Sequence, residues 1–377
     1  MHPTRLVAVF SSLEDPRVER TRRHALVDVI VIAILATIAD CDGWDEVEAF
    51  AEFRLAWLRT FLDLRRGSPS ADTFRRVFEA IDPKAFAVCF ATLVADLAGR
   101  TDGAVIPIDG KTMRRTFSRS KGQGPLHMVS AWVADKGITL GQVATEEKSN
   151  EITAIPELLT MIDVRGSTVT IDAMGCQKAI AVAIVDKKAD YILALKDNQP
   201  TLHTEVQAHF ADATADGFAP VVCDEHVTEN KGHGRIERRR VRVSNNVDWI
   251  ADVGAWRGLR SIAEVERTRT SDGKTSTERA YFISSLDVDA KTFGERVRAH
   301  WSIENKLHWV LDVVFHEDSS RIRDRNSATN LALLRKLALA LVAKETSNPK
   351  RSRRQKRKMA SWEPNYLFTV LEAAHAP

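Results

Sequence analysis

The sequence predicts an α/β protein, a mixed sheet flanked by helices, with an N-terminal helical domain before it and a β-rich insertion within it. Three observations carry this. Apolar residues recur at helical spacing from about residue 12 to 97. Short strand-like runs replace them after Gly99-Arg100-Thr101-Asp102-Gly103. Two of those runs close on an aspartate, Val105-Ile106-Pro107-Ile108-Asp109 and Ser167-Thr168-Val169-Thr170-Ile171-Asp172.

In the helical part, Val27, Ile30, Val31, Ile34, Leu35 and Ile38 recur at steps of three and four, and Trp44, Val47, Phe50, Phe53, Trp57 and Leu58 do so again. Residues 25–39 are the most apolar stretch. They fall short of the ~20 residues a bilayer crossing needs and include Asp28, which makes them a buried helix. Ser70 suits an N-cap for a helix over 71–81, with Phe74, Val77, Phe78 and Ile81 inward and Arg75 and Arg76 outward; Asp82-Pro83 stops it. A further helix runs to about residue 98.

Strands follow at 105–109, at 127–135 with 138–146 as a hairpin across Lys136-Gly137, at 169–172 and at 191–195, with helices at 152–162 and 178–188. That order fits strands joined by helical crossovers, hence parallel, with sites at their carboxyl ends. Residues 201–293 break the pattern. After a helical piece at 201–210 they read as antiparallel strands at 236–243, 261–268 and 277–284, the last two joined by Ser271-Asp272-Gly273-Lys274. Helices resume at 291–314 and 327–344. The domains expected are therefore 1–100, 101–345 with the insertion at about 201–293, and a basic tail at 346–377.

Lys and Arg number 54 against 51 Asp and Glu, a net charge of +3, too even to establish a nucleic-acid partner by itself. Cys41, Cys89, Cys176 and Cys223 stand at no metal-binding or redox spacing, which argues against zinc and for a reduced, cytoplasmic protein. The first ten residues lack the pattern of an export signal, and no membrane association is expected.

Asp109, Asp172 and Glu304 are the acids of most interest. Two aspartates at adjacent strand ends and a glutamate from a later helix are what a two-metal phosphoryl-transfer site requires. Taken singly, a strand-end aspartate is more often a turn or cap residue. Glu304 competes with Asp312, Glu317 and Asp318 nearby. On a helix it shares a face with His300, Trp301, Leu307 and His308, whose tryptophan neighbours Trp301 and Trp309 read equally as core or as functional.

Several long motifs surround these acids: Ile108-Asp109-Gly110-Lys111-Thr112, Glu147-Lys148-Ser149-Asn150-Glu151-Ile152, Thr170-Ile171-Asp172-Ala173-Met174-Gly175-Cys176-Gln177, Leu195-Lys196-Asp197-Asn198-Gln199, Lys231-Gly232-His233-Gly234-Arg235, and His300 to Trp309 continuing to Asp318. In them the chain resembles, over nearly its whole length, the H-repeat-associated group of DDE-type insertion-sequence transposases. The resemblance implies an RNase H-like core that depends on Mg2+, two ions with Mn2+ as a possible substitute. It implies cleavage and strand transfer on double-stranded DNA at the ends of an insertion sequence, with a homodimer in the DNA complex. It makes Asp109, Asp172 and Glu304 metal ligands. Related transposases carry a tyrosine, an arginine and a lysine around the third acid. Here those slots hold Val297, His300 and Leu311, leaving Arg298 and Lys306 as substitutes.

Lys111, Arg114, Arg115, Arg119 and Lys121 crowd the stretch after Asp109, where a substrate phosphate would lie. Alternation places Arg238, Arg240 and Arg242 on one strand face. Asn150, Gln177, Lys196 and Asn198 suit bracing or backbone contact, and the run Lys350 to Lys358 a flexible arm on DNA. Two rivals stand beside a transposase: a catalytically silent DNA-binding protein on the same scaffold, and a general RNase H-like nuclease.

Overall fold

The computed structural model describes residues 3–145, 151–215, 223–232 and 235–373. The chain divides into two compact units. One comprises Met1–Arg100, Gly110–Asn150 and Glu304–Pro377, the other Thr101–Asp109 and Glu151–Ile303.

The first unit is mainly helical. Leu26–Ile38 is apolar all round, and every residue of it except Val27 is buried, as such a helix must be. It packs on the long helix Arg325–Lys344, which also covers Ala71–Ala80 and Pro83–Ala98. Local chemistry sets the ends of these helices. Ser70 Oγ accepts from Thr73 N, and the Asp82 carboxylate accepts from Lys84 N and Ala85 N with Pro83 in the first turn. Asp82-Pro83 thus ends one helix and starts the next. Phe53 departs from its expected inward place and is exposed. Strand β1 (Val105–Met113) contributes its later residues to this unit, beside the antiparallel hairpin of β2 (Leu126–Val133) and β3 (Ile138–Thr145). Met113, Leu126 and Met128 close a core with Ala328 and Ala332.

The C-terminal segment corrects an expectation. The basic run is not an extended arm: most of it forms the helix Arg353–Trp362, opened by a reciprocal cap between Ser352 and Gln355, and Pro364–Glu372 follows. Lys356 Nζ lies 3.0 Å from the Glu345 carboxylate. Arg357 is 0% exposed; it pairs with Asp40 at 2.9 Å and Asp42 at 3.5 Å, donates to the carbonyls of Thr37 and Val314, and stacks over Phe315 at 4.0 Å. A buried guanidinium persists only with such a set of acceptors, and these come from distant parts of the chain.

The second unit is a mixed sheet with helices. Its further strands are β4 (Thr168–Ile171), β5 (Asp190–Leu195), β6 (Cys223–Gly232), β7 (Arg235–Ser244), β8 (Ser261–Ser271) and β9 (Lys274–Ser284). From the first half of β1 the order is β1-β4-β5-β9-β8-β7-β6. The pairs β1/β4 and β4/β5 are parallel and the others antiparallel. Glu151–Met161 and Lys178–Asp186 are the connecting helices. The insertion is therefore no separate body: β9 pairs with β5, covering an edge that would otherwise present unpaired backbone groups. The β8–β9 turn is as expected, with Asp272 and Gly273 at φ 52° and 72°. Strand β6 was not expected; it is a polar edge strand, mostly exposed, with no apolar alternation to mark it. Ala290–His300 packs on the sheet through Phe293 and Val297, against Ile192, Val241 and Ala263. Among the described residues no helix is long and apolar enough to cross a membrane.

Replacing Arg357 by Met removes the donor shared by two carboxylates and two carbonyls. We expect a loss of about 3 kcal/mol in urea unfolding, since orphaned buried acceptors cost roughly 1–3 kcal/mol each and the acids are partly solvated.

Candidate active site and nucleic-acid interface

Strands β1 and β4 run parallel with Ile108 opposite Ile171. One residue further along, each carries an aspartate. Neighbouring strands lie about 4.8 Å apart, so Asp109 and Asp172 stand side by side where the parallel pairing ends, both half-buried. Asp172 follows the last residue of β4, whereas β1, expected to close at Asp109, runs on to Met113. Asp172 Oδ1 accepts from Met174 N at 3.1 Å and caps the tight turn Ala173–Gly175. The turn has no room for a side chain at Gly175, where a Cβ would meet Ile171 Cγ2 at 2.2 Å. Asn198 Nδ2 donates to the Ala173 carbonyl at 2.6 Å and Gln199 Nε2 to the Cys176 carbonyl at 3.0 Å. These side chains brace the backbone that carries Asp172. Gln177 reaches the Met174 carbonyl at 3.4 Å, while Asn150 lies outside the described residues.

Thr168, Thr170 and Asp172 alternate onto one face of the β4 line, and Ala290–His300 lies on that face. Arg296 donates to Thr168 Oγ1, and His300 Nδ1 shares a hydrogen bond of 2.9 Å with Thr170 Oγ1. Burial lowers the His300 pKa, against the opposing pull of Asp172, so the ring is neutral at pH 7. The slot that holds an arginine in related transposases thus carries no cation here.

Glu304 belongs to the first unit. It opens the π-helical turn Glu304–His308 and is exposed. Such turns are rare and recur at functional sites. Trp301 and Trp309 are 49% and 58% exposed, so neither is a core residue. Among the described residues no three His, Cys, Asp or Glu side chains form a group that could hold a metal ion. The two aspartates are brought together as hard oxygen donors suited to Mg2+.

The basic candidates separate into two kinds. Lys111, expected on phosphate, is instead enclosed by carboxylates of its own unit: Asp312 at 2.7 Å, Glu317 at 2.9 Å and Asp318 at 3.3 Å. Burial would lower its pKa, but Glu317 and Asp312 outweigh that and raise it. The strip Arg238, Arg240, Arg242 is likewise reduced. On β8, Glu266 and Glu264 stand opposite Arg240 and Arg242, and the Arg242–Glu264 pair, at 2.7 Å, is buried. Arg238 remains exposed, as do Arg115, Lys196, Arg298 and Lys306. The Arg114 side chain is 81% exposed, 3.5 Å from Asp318.

The opposite face of β7 carries a cluster that strand alternation alone passed over. Arg239 stands directly across from Arg267 on β8. With Arg298 and Trp301 they rim a cleft floored by Val241 and Phe282, and Arg267 lies 6.0 Å from the Trp301 ring centroid. Glu237 and Glu278 pair with Arg239 and Arg267. The signal was the cross-strand register, which residue order does not disclose.

Residues 7–94 match the family model described as DDE_Tnp_1-associated, and residues 100–341 match that of the Transposase DDE domain. The chain belongs to the DDE transposase family. It is 42% identical to "Putative transposase YncI" of Escherichia coli O157:H7, over 97% of this chain and 94% of that protein. It is 36% identical to "H repeat-associated putative transposase YhhI" of Escherichia coli strain K12, over 98% of each. A solved piggyBac transposase synaptic complex with hairpin DNA is similar at 12% identity and a TM-score of 0.45, covering 100% of this chain and 82% of that one, too loose a likeness to carry weight. The mixed sheet flanked by helices is thus the RNase H-like scaffold of a DDE transposase.

Lys111→Met should cost about 3 kcal/mol in urea unfolding at pH 7, because it leaves the buried Glu317 carboxylate without its nearest cation. The deficit should shrink in acid, where Glu317 takes up a proton. For His308, burial and the nearby Lys336 and Lys111 push the pKa down to about 3 from 6.5. The unfolded chain then binds the proton first. Stability held above pH 6.5 is lost as pH falls toward 3, by at most about 1.4 kcal/mol per pH unit; His308→Gln should flatten that slope in acid titrations followed by circular dichroism.

Proposed function

We propose that this transposase cleaves double-stranded DNA at the ends of an insertion sequence and joins the freed ends to target DNA, with Asp109, Asp172 and Glu304 as ligands of a divalent metal. The observation that carries the reading is the register of β1 on β4, which sets Asp109 beside Asp172 where the parallel pairing ends. When bound there, two Mg2+ ions, or Mn2+ in their place, would supply an activated water or 3′-hydroxyl and offset the negative charge growing on the phosphoryl oxygens. The chain's own part is positioning. Met174 N holds one oxygen of Asp172, and Asn198 and Gln199 fix the loop behind it. Neutral His300 ties the following helix to β4 without adding charge.

DNA contact falls to the exposed cations: Arg114, Arg115, Lys196, Arg238, Arg298 and Lys306. Lys111 and Arg240 are left out of that set by their carboxylate partners. The Arg239, Arg267 and Arg298 rim beside Trp301 suits a backbone phosphate next to an unstacked base. Joining two ends calls for two copies of the chain, which makes a homodimer the form in the DNA complex, acting in the cytoplasm.

The test uses supercoiled donor DNA carrying the element ends, with Mg2+. Asp109→Asn, Asp172→Asn and Glu304→Gln should each slow nicking and joining by more than about 100-fold while gel-shift affinity holds. Normal cutting by any one of them removes that residue from the site. A wild-type protein that binds the ends and never cuts favours the silent reading, and cuts in arbitrary DNA without joined products favour a nuclease.

A further inference from the structure

Arg335 lies within the helix Arg325–Lys344 and is 2% exposed, and its Nη1 has no hydrogen-bond partner among the described residues. A guanidinium has five donors and keeps its charge, so burying one without acceptors is costly. Glu317 and Asp42 are the acids that act on its charge. Both are already engaged, Glu317 with Lys111 at 2.9 Å, and Asp42 with His316 at 2.6 Å and Arg357 at 3.5 Å.

What Arg335 does face is a cavity of the first unit. One wall is Asp42-Gly43-Trp44, the other His316 with the segment Ser319 to Ile322. The hydroxyls of Ser319 and Ser320 and the exposed Arg321 line it with Arg335. A second cavity shares Trp44, Arg321 and Ile322 and continues to Lys121, Arg323 and Ser327. Ser327 is 1% exposed, and its Oγ also lacks a partner among the described residues. The acids along this path are occupied: Asp42 as above, Glu79 by Arg75 at 3.0 Å, and Asp324 by Ser327 N at 2.9 Å. Arg75 is correspondingly neutralised. The result is a groove with Trp44 and Ile322 among its walls, unpartnered donors of Arg335 and Ser327 at its base, and Arg321, Arg323 and Lys121 beside them.

Such donors call for a compact anion with several acceptor oxygens, a phosphate. Two cavities that share Trp44, Arg321 and Ile322, with cations in succession, suit phosphates in a row. We propose that this groove is a DNA backbone site, with Arg335 anchoring one phosphate from below, Arg321 holding it from the rim, and the hydroxyls of Ser319 and Ser320 completing the set. The helical unit thereby grips DNA with residues outside the aspartate pair. This rests on the reading that the chain handles DNA, and it does not depend on which acids bind metal.

The test is the binding of a fluorescent element-end duplex to full-length Asp172→Asn protein across a range of salt. Adding Arg335→Met or Arg321→Ser should weaken binding about tenfold at 0.15 M salt and lower the slope of log affinity against log salt by about 1. Unchanged melting temperature and circular dichroism establish that each variant folds. If Arg335→Met does not fold, Arg321→Ser, a change at an exposed rim position, decides alone. Affinity and slope unchanged in the folded variants overturn the proposal. Inorganic phosphate at constant ionic strength separates the sources. Competition with DNA that Arg335→Met abolishes supports the site; phosphate that stabilises only the protein with Arg335 intact, while both forms bind DNA alike, makes it a free-anion site and overturns the DNA assignment. A wild-type protein that never cuts DNA, yet shows these slope changes, sinks the cleavage reading and supports this one.

Discussion

The parallel pairing of β1 with β4 is the constraint on which the rest of the catalytic reading depends. It is held by what lies beneath it: Ile106, Ile108, Val169 and Ile171 are all buried at 3% exposure or less. Because side chains alternate along a strand, a slip of either strand by one residue would turn its own pair, Ile106 and Ile108 or Val169 and Ile171, to the opposite face. It would also send one aspartate away from the other. The carboxylate pair therefore inherits its geometry from apolar packing, and the tight turn at Gly175 fixes where the chain leaves the strand.

A second theme is the division among cations. With nearly equal numbers of acids and bases, a positive residue reports a nucleic-acid contact only if no carboxylate claims it. Lys111, Arg242, Lys356 and Arg357 are claimed and buried; Arg114, Arg115, Arg238 and Arg298 are not enclosed in this way. The sheet imposes part of this sorting, since β8 sets Glu264 and Glu266 opposite Arg242 and Arg240 while setting Arg267 opposite Arg239. One face is neutralised directly across β8; on the other, Arg239 and Arg267 stand side by side and find their acids in Glu237 on β7 and Glu278 on β9.

How much of this was legible in the sequence follows the range of each interaction. Leu26–Ile38, the Ser70 cap and the Asp272-Gly273 hairpin are dictated by neighbours within a few residues, and all appear where the pattern placed them. Asp109 and Asp172 were marked by closing apolar runs, a local signal that holds at Asp172, just past the end of β4, whereas β1 continues beyond Asp109 to Met113. Glu304 had no comparable mark and rested on resemblance, and the structure sets it on an exposed π-helical turn that periodicity does not foresee. The polar edge strand β6 and the folded C-terminal helices were misjudged for one reason. Their stability comes from partners far along the chain, β7 for one and Asp40 and Asp42 for the other, so their composition alone reads as loop or solvated tail.

That reach has a consequence for how the protein is made. The most apolar helix, residues 26–38, is synthesised about 300 residues before its cover, Arg325–Lys344, and before the Arg357 that closes over its end. The first unit cannot complete its core until those later residues have left the ribosome, and through that interval the helix is exposed to chaperones and to self-association. A chain cut before residue 357 would lack the clasp on residues 37 to 42, so the C-terminal helices act as a checkpoint on whether a copy can fold.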